Sequence, residues 1–265
     1  MNEILKNKKL YIFDMDGTVY LEDTVFPFAV DFINKLRNSG RRILFFTNNA
    51  SKNISVYFDK LNKMGFGVSK EEIMSSADVC TEFLNKYRKG KTVYLLGTPA
   101  LEEHFISHKI PLVTDKQPDI TVVSFDTTLT YEKLKNACTY IRNGAEFLST
   151  HPDFNCPVKD GYIPDSGAIC AAVTASTGVS PRYFGKPYPE TADMICEITG
   201  VDRADMCIFG DRLYTDIALG KANGITATLV LTGEATLEDV ENAPEESKPD
   251  FIYPSLAEVD KEIFN

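Results

Sequence analysis

The sequence predicts an α/β fold organised as a doubly wound parallel sheet. Short apolar runs typical of buried strands alternate with segments whose apolar residues recur at helical spacing. The first such alternation, strand–helix–strand, predicts a parallel βαβ unit with a right-handed crossover. A chain of 265 residues with 43% hydrophobic content is near the size at which one core divides into two domains.

The first predicted strand, Tyr11–Phe13, runs directly into the acidic segment Asp14–Thr18. Because side chains at i and i+2 of an extended chain share one side, we expect Asp14 and Asp16 to project together. Two close carboxylates are costly unless a cation or a shared proton offsets them, and open α/β sheets bind ligands at this edge. Asp14 is therefore a candidate nucleophile and Asp16 a candidate proton carrier; the alternative is a turn with an Asp cap.

The next elements follow from periodicity. The segment that begins at Val25 has apolar residues at i, i+3, i+4 and i+7, which predicts an amphipathic helix ending near Gly40. Further predicted strands are Ile43–Phe46, Val93–Leu96, Ile120–Ser124, Phe147–Ser149, Met206–Phe209 and Ala227–Leu231. Further predicted helices are Tyr131–Arg142, Ala168–Thr177, Pro189–Ile198 and Thr215–Ala222. The acidic segment Glu234–Pro249 is predicted to be a surface loop with a short helix.

Composition excludes some classes of partner. A formal net charge of −10 argues against nonspecific binding of nucleic acid or of anionic membranes, which requires basic surface. It does not exclude a small anionic substrate, because charges close to a site outweigh distant ones. No apolar targeting region begins the chain and no run of 18 apolar residues occurs, so we expect a cytoplasmic protein.

The cysteines and histidines do not suggest a metal site. No Cys-x-x-Cys pair occurs among the six cysteines, so we expect free thiols in a reducing compartment. His104 and His108 lie one helical turn apart, but no third ligand is evident in the sequence. We therefore interpret these two histidines as part of a surface face.

Three more segments offer groups suited to binding an anion or a cation. Thr47 and Asn48 follow the second strand and precede a helix, a position that suits an oxyanion or an ordinary helix cap. Lys186 lies in a constrained Gly-Lys-Pro loop, where its ammonium group pairs with phosphate or carboxylate or is simply solvated. Asp211 ends a strand and offers an oxygen ligand for Mg²⁺, while Asp216 orients another group or caps the next helix.

Taken together, these segments resemble the motifs of the haloacid dehalogenase superfamily of phosphotransferases. The resemblance covers about residues 1–80 and 183–265 and rests on four segments: Asp14–Tyr20, Thr47–Asn49, Lys186 and Gly210–Asp216. The long separation of Thr47 from Lys186 implies an inserted domain. The segments Thr47–Ser51, Gly185–Pro187 and Ser124–Leu134 resemble the NagD-like, 4-nitrophenylphosphatase group, whose members carry an α/β cap at this point.

The resemblance implies hydrolysis of a small phosphorylated metabolite with Mg²⁺ as cofactor. Asp14 would form an aspartyl-phosphate, and Asp16 would protonate the leaving alcohol and then deprotonate water. The metal ligands would be the Asp14 carboxylate, the Asp16 backbone carbonyl and Asp211, with Asp216 as a further ligand or an orienting acceptor. The phosphate-binding groups would be Thr47, an N–H near Asn48, and Lys186.

The resemblance also implies a domain division and candidate substrate contacts. The catalytic core would comprise residues 1–80 and 183–265, and the cap residues 81–182. Candidate cap contacts are His151 and Asp153; the family usually has Asn where this chain has His151. Their alternative role is that of loop and helix-cap residues. The sequence determines neither the substrate nor the oligomeric state, and a homodimer is left open.

Two alternative functions were weighed against phosphatase activity. The first is a non-catalytic protein that binds a phosphorylated ligand, and the retention of all four motif residues disfavours it. The second is hydrolysis of a carbon–halogen bond, which Asp16 disfavours by the same resemblance. The absence of both glycine-rich motifs argues against dinucleotide binding and against P-loop chemistry.

Overall fold

The structure is a computed structural model that describes residues 3–158 and 161–264. By its internal contacts the chain separates into two compact units. Unit 1 comprises Met1–Thr47, Tyr57–Met74 and Lys186–Asn265, and unit 2 comprises Asn48–Val56 and Ser75–Gly185. The predicted domain division, residues 1–80 with 183–265 and residues 81–182, stays a prediction.

Unit 1 is built on a six-stranded sheet with the order β14-β13-β12-β1-β4-β5. Its strands are β1 (Leu10–Phe13), β4 (Arg42–Thr47), β5 (Ile73–Ser75), β12 (Met206–Gly210), β13 (Thr226–Val230) and β14 (Phe251–Tyr253). β1 pairs in parallel with both β4 and β12, and β13 pairs in parallel with β12 and β14. Every residue of β1 and β12 is buried, as expected for central strands covered on both faces.

Helices pack against this sheet because each has one apolar face. In unit 1 they are α1 (Glu3–Lys6), α2 (Ala29–Asn38), α3 (Ile54–Lys63, whose first three residues belong to unit 2), α8 (Pro189–Thr199), α9 (Ala218–Asn223), α10 (Leu237–Asn242) and α11 (Leu256–Phe264). Helix α2 buries the four apolar residues that predicted it, and it packs on α11. A short hairpin of β2 (Tyr20–Leu21) and β3 (Thr24–Val25) precedes α2, at a point where the sequence pattern predicts no strand.

The predicted helix Thr215–Ala222 is wrong in its first turns. Residues Leu213–Ile217 form a π-helical turn, and the α-helix α9 begins at Ala218. The backbone N–H of Ile217 donates to the carbonyl of Arg212 at 3.2 Å, which widens the turn by one residue. The predicted surface segment after Glu234 is confirmed, with α10 and a short 3₁₀ turn at Glu245–Ser247.

Unit 2 contains a four-stranded parallel sheet in the order β11-β8-β7-β6. Its strands are β6 (Val93–Leu96), β7 (Ile120–Val123), β8 (Glu146–Ser149) and β11 (Arg182–Tyr183), and a separate antiparallel hairpin joins β9 (Asn155–Val158) to β10 (Gly161–Pro164). Its helices are α4 (Ser76–Tyr87), α5 (Pro99–Ser107), α6 (Tyr131–Arg142) and α7 (Ser166–Thr177). Helices α6 and α7 pack together over a buried apolar cluster, so this unit has a core of its own.

The α/β class and the parallel sheets are therefore as the sequence predicted. All six cysteines are free thiols, and four of them are buried. Within the described part of the chain, no helix combines the length and the apolar character needed to cross a membrane.

Candidate active site

The central strands of unit 1 end in the residues that the sequence singled out. In the parallel register Phe13 of β1 lies beside Phe45 of β4 and Phe209 of β12. Asp14 leaves β1 directly after Phe13, and its backbone N–H donates to the carbonyl of Phe209 at 2.9 Å. Thr47 is the last residue of β4, and Asp211 follows the last residue of β12. The parallel sheet thus brings the carboxyl ends of these three strands together, and open α/β sheets bind their ligands at such ends.

Lys186 joins two of the acidic side chains in this unit. Its Nζ donates to Oδ1 of Asp14 at 2.5 Å and to Oδ1 of Asp216 at 2.6 Å. A third bond goes to the carbonyl of Phe46 at 3.3 Å. Burial pulls the pKa of Lys186 down, but the two carboxylates more than offset this, and the net result is a raised pKa. Lys186 is therefore a fixed positive charge that holds Asp14 in position.

Three carboxylates remain close together around that lysine. Ligand oxygens of Asp14, Asp211 and Asp216 all lie within 4.8 Å of one another. Burial raises the pKa of Asp14, with Lys186 acting against it; burial also raises the pKa of Asp211, with Asp14 and Asp216 adding to the increase. The ammonium group of Lys186 and the nearby guanidinium of Arg212, which also pairs with Glu234, do not neutralise three carboxylates, so the cluster is short of positive charge.

The environment of Asp211 fits a divalent cation. Its Oδ2 accepts a hydrogen bond from the backbone N–H of Glu234 at 2.8 Å. Its Oδ1 is buried and finds no hydrogen-bond partner among the described residues. An orphaned carboxylate oxygen of this kind is costly unless a cation coordinates it. Hard carboxylate oxygens are the ligands that Mg²⁺ prefers, so the residues present fit that ion.

Asp16 lies beyond the end of β1, where it forms an isolated bridge with Tyr20 across a tight turn at residues 17–19. The carboxylates grouped with Asp14 are those of Asp211 and Asp216, and Oδ1 of Asp16 accepts from the N–H of Glu22 at 3.5 Å. The turn depends on Gly17, whose φ is +84°. A Cβ at Gly17 would lie 2.5 Å from Oδ2 of Asp211, so this glycine lets the turn approach the carboxylate cluster.

Two features of the site were missed by sequence reasoning. Arg212 is largely buried and lowers the pKa of both Asp14 and Asp211 by its charge. The loop after β13 also approaches the cluster, since a Cβ at Gly233 would lie 2.0 Å from Oδ2 of Asp211. Gly233 and Glu234 follow a predicted strand, which indicates a loop at the same end of the sheet. Nothing in the sequence indicates that this loop contacts Asp211.

Two predicted site residues, Asn48 and Asp153, meet each other within unit 2. The side-chain amide of Asn48 donates to both carboxylate oxygens of Asp153, at 3.1 and 3.3 Å. The carbonyl of Asn48 accepts a hydrogen bond from the hydroxyl of Ser76 at 2.5 Å. The side chain of Asn48 is thus engaged by a carboxylate, and its predicted contribution to phosphate binding concerns its backbone N–H.

His151 is fully buried in unit 2. Its Nε2 donates to Oδ1 of Asp165 at 2.8 Å, and its Nδ1 lies 2.9 Å from the hydroxyl of Thr150. Burial acts to lower the pKa of His151, but Asp165 more than offsets it, so the pKa is raised. Asp165 also caps α7 by accepting from the N–H of Ser166 at 2.5 Å. The pair therefore anchors the start of this helix.

The interpretation of His104 and His108 as a surface face is wrong for His104. Only 5% of His104 is exposed, and its Nε2 lies 3.6 Å from Oδ1 of Asp78. The sequence pattern does not indicate that Asp78 is a neighbour of His104, because the two residues belong to different helices. Asp78 lies close to His104 because α4 packs on α5.

Two family models match the chain. A model of haloacid dehalogenase-like hydrolases matches residues 11–110, and a second model, described as HAD-hydrolase-like, matches residues 183–259. The matched segments contain every acidic residue of the unit 1 cluster and Lys186.

The chain is similar over nearly its whole length to proteins named as phosphatases. It is 37% identical to an acid sugar phosphatase of Staphylococcus saprophyticus, over 98% of this chain and 99% of the relative. It superposes on the crystal structure of a 4-nitrophenylphosphatase from Thermotoga maritima with a TM-score of 0.94 and 43% identity, covering 99% and 100% of the two chains.

A third similar protein was solved together with a metal ion. This is a glycerol phosphate phosphatase of Mycobacterium tuberculosis in complex with magnesium, with a TM-score of 0.89 and 29% identity, covering 97% of this chain and 78% of that one. The resemblance to the haloacid dehalogenase superfamily and to its 4-nitrophenylphosphatase group is thus confirmed.

Proposed function

Since the chain belongs to the haloacid dehalogenase-like hydrolases and is a phosphatase, we propose that it hydrolyses small phosphomonoesters with Mg²⁺. The proposed substrate class is a sugar phosphate or a similar small phosphorylated metabolite. Relatives named acid sugar phosphatase and glycerol phosphate phosphatase support this class. The residues proposed to act on it are those of the unit 1 cluster.

The observation that carries the proposal is the arrangement around Asp14. One of its carboxylate oxygens is held by Lys186, and Asp211 presents a buried oxygen without a partner among the described residues. A carboxylate held in one orientation and kept ionised by a neighbouring cation is suited to act as a nucleophile. Phosphoryl transfer needs such positioning and charge neutralisation more than any other assistance.

We propose that Mg²⁺ is held by the carboxylates of Asp14 and Asp211 and by the backbone carbonyl of Asp16. When bound, the ion would neutralise negative charge on the transferring phosphoryl group. Asp216 is the proposed orienting acceptor, because its Oδ1 accepts from Nζ of Lys186 at 2.6 Å. The carboxylates of Asp14, Asp211 and Asp216 all belong to unit 1.

The proposed reaction has two steps. In the first, an oxygen of Asp14 forms a bond to phosphorus while the bond from phosphorus to the ester oxygen breaks. Asp16 gives its proton to the leaving alcohol. In the second step, water forms a bond to phosphorus while the bond from phosphorus to the Asp14 oxygen breaks. The Asp16 carboxylate accepts a proton from that water, and inorganic phosphate leaves the regenerated Asp14 carboxylate. The hydroxyl of Thr47, the backbone N–H of Asn48 and the ammonium of Lys186 would bind the phosphoryl oxygens.

His151 and Asp153 stay proposed substrate contacts of the inserted domain. Their side chains are engaged by Asp165 and Asn48 within unit 2. For Asp153 to contact substrate, its carboxylate must give up the hydrogen bond from Asn48 and bind substrate in its place. Alternatively, substrate adds a hydrogen bond to these side chains while their present bonds are kept. The proposal also keeps the protein cytoplasmic and free of nucleic-acid partners, in line with its net charge of −10; a homodimer remains an open proposal.

The test is phosphate release from 4-nitrophenyl phosphate and from a panel of sugar phosphates, with excess MgCl₂ or with EDTA. We expect turnover with Mg²⁺, loss of turnover with EDTA, and a loss of at least about 10³-fold in Asp14→Asn. Asp23→Asn is the matched control, because the Asp23 side chain is 100% exposed. Equal turnover in Asp14→Asn and in the parent would refute the nucleophile, and turnover that persists in EDTA would refute the metal dependence.

A further inference from the structure

A second group of potential metal ligands lies in unit 2, on two helices that the proposed reaction does not use. Asp78 belongs to α4, His104 belongs to α5, and His108 follows the last residue of α5. One ligand atom from each of these three residues lies within 4.8 Å of the other two. The two imidazole rings face each other with centroids 4.2 Å apart, as the spacing i, i+4 allows.

His104 carries an unsatisfied polar atom that points into this group. Only 6% of its side chain is exposed, and its Nε2 is buried without a hydrogen-bond partner among the described residues. The nearest acceptor is Oδ1 of Asp78 at 3.6 Å, which is too far for a hydrogen bond. A buried polar nitrogen of this kind needs a partner that the side chains do not supply.

The other two side chains already make the supporting hydrogen bonds that metal ligands usually make. Nδ1 of His108 lies 2.8 Å from the carbonyl of His104, so its N–H is directed to that carbonyl and Nε2 keeps its lone pair. Oδ2 of Asp78 accepts from the N–H and the hydroxyl of Ser75 at 2.7 and 2.8 Å, which leaves Oδ1 facing His104. Histidine ligands typically donate their second N–H to a carbonyl, and carboxylate ligands are typically hydrogen-bonded themselves.

We propose that Asp78, His104 and His108 form a binding site for a divalent transition-metal ion of the Zn²⁺ type. Two imidazole nitrogens and one carboxylate oxygen suit Zn²⁺ and its neighbours, whereas Mg²⁺ prefers oxygen ligands alone. Tetrahedral bonds of about 2.0–2.2 Å would bring the ligand atoms closer than they now are, by small side-chain rotations. Water would take the fourth position, because both Asp78 and His108 are only partly buried.

This ion would cross-link α4 and α5. Helix α4 belongs to the same unit as α5, and a shared ion would add to the packing of the two helices and to the hydrogen bond that the side-chain amide of Asn85 donates to the carbonyl of His108 at 3.1 Å. Binding to the folded protein alone stabilises it in proportion to ion concentration, so the site should raise the melting temperature when Zn²⁺ is added. The proposal is independent of the unit 1 cluster and of the proposed phosphatase mechanism.

The chain offers a direct test because it contains only three histidines. The full chain, with histidine labelled by ¹⁵N in the ring, is titrated with ZnCl₂ in the presence of excess MgCl₂, which occupies the oxygen-only cluster. We expect the ring signals of His104 and His108 to shift with one equivalent of Zn²⁺. His151, which is bonded to Asp165, should keep its signals and serves as an internal control.

Variants identify the ligands. His108→Gln removes one partly exposed ligand, and we expect it to weaken Zn²⁺ binding by at least about tenfold and to abolish the shift of His104. Glu103→Gln is the matched control, since Glu103 is an exposed acidic residue on the same helix, and it should bind Zn²⁺ as the parent does. The change in melting temperature on adding Zn²⁺ gives a second readout that needs no activity.

The proposal is overturned if equimolar Zn²⁺ leaves the signals of His104 and His108 unchanged. It is also overturned if His108→Gln binds Zn²⁺ with the affinity and the His104 shift of the parent, because the ion would then lie elsewhere. Loss of the phosphatase activity in Asp14→Asn, or its persistence in EDTA, affects neither result.

Discussion

Lys186 is held by several contacts in the unit 1 cluster. It is a buried ammonium group bonded to two carboxylates on different segments, and each of the three groups depends on the others for charge compensation. A buried charge that loses its partner costs more than the pair itself contributes. In the sequence Lys186 is only a lysine between glycine and proline, for which solvation is an alternative.

The first prediction concerns removal of this ammonium group. In Lys186→Met we expect the free energy of unfolding, measured with denaturant in EDTA, to fall by about 3–5 kcal/mol, because Asp14 and Asp216 lose their shared partner. Activity with Mg²⁺ should fall at least about 10²-fold, since the phosphoryl group loses a positive charge. The double variant Lys186→Met with Asp216→Asn should recover part of the stability and none of the activity. Full stability in the single variant would contradict the ion-pair account.

The second prediction concerns pH and metal removal. The pKa values of Asp14 and Asp211 are raised in the folded chain, so their contribution to stability is present below the pKa of the unfolded chain and is lost as pH rises through the folded values. In EDTA we therefore expect the melting temperature to decline as pH rises above about 4 toward neutral. Added Mg²⁺ should raise it more at pH 8 than at pH 5.

The variant Asp211→Asn supplies the control for that prediction. It removes the carboxylate whose Oδ1 lacks a partner among the described residues, so the pH-dependent part of the Mg²⁺ effect should shrink. The same increase in melting temperature at both pH values, in the parent and in the variant alike, would exclude these carboxylates as the metal ligands.

At the scale of elements, long periodic segments were predictable and short or strained ones were not. The strand Val93–Leu96 and the helix Tyr131–Arg142 have the predicted bounds, because apolar periodicity and a threonine N-cap define them locally. The hairpin at Tyr20–Val25 has strands of two residues, too short for any period to be visible. The π-helical turn Leu213–Ile217 broke a predicted α-helix because Asp216, within that turn, bonds to Lys186, a contact that local sequence does not encode.

The third prediction concerns the start of α7. Asp165 caps this helix and also accepts from Nε2 of the buried His151, so Asp165→Ala removes two interactions at once. We expect the free energy of unfolding to fall by about 2–4 kcal/mol, the sum of a lost cap and an unpaired buried imidazole. Thr130→Ala is the matched control, because Thr130 caps α6 by accepting from the N–H of Lys133 without a second buried partner. It should cost about 1 kcal/mol. Equal losses in both variants would show that His151 does not depend on Asp165.

At the scale of the whole molecule, the sequence predicted the fold class and the phosphatase chemistry better than the connections between segments. Motifs near both ends of the chain meet in one unit because β1 lies between β4 and β12. The role of Gly233 was not predictable, because its neighbour Asp211 is more than 20 residues away in the sequence. The role of Arg212 was not predictable, because its effect on Asp14 depends on the buried orientation of its side chain. Asp78 and His104 were likewise separated by 26 residues in sequence and joined only by helix packing.

The central claim is that Asp14 accepts the phosphoryl group, and chemical trapping tests it most directly. The enzyme is mixed with 4-nitrophenyl phosphate and Mg²⁺, quenched in acid and reduced with borohydride, which converts an aspartyl-phosphate into homoserine. Peptide mass spectrometry is predicted to find homoserine at position 14, only when substrate and Mg²⁺ are both present. Homoserine at another aspartate, or none during a burst of nitrophenol release, would contradict the account.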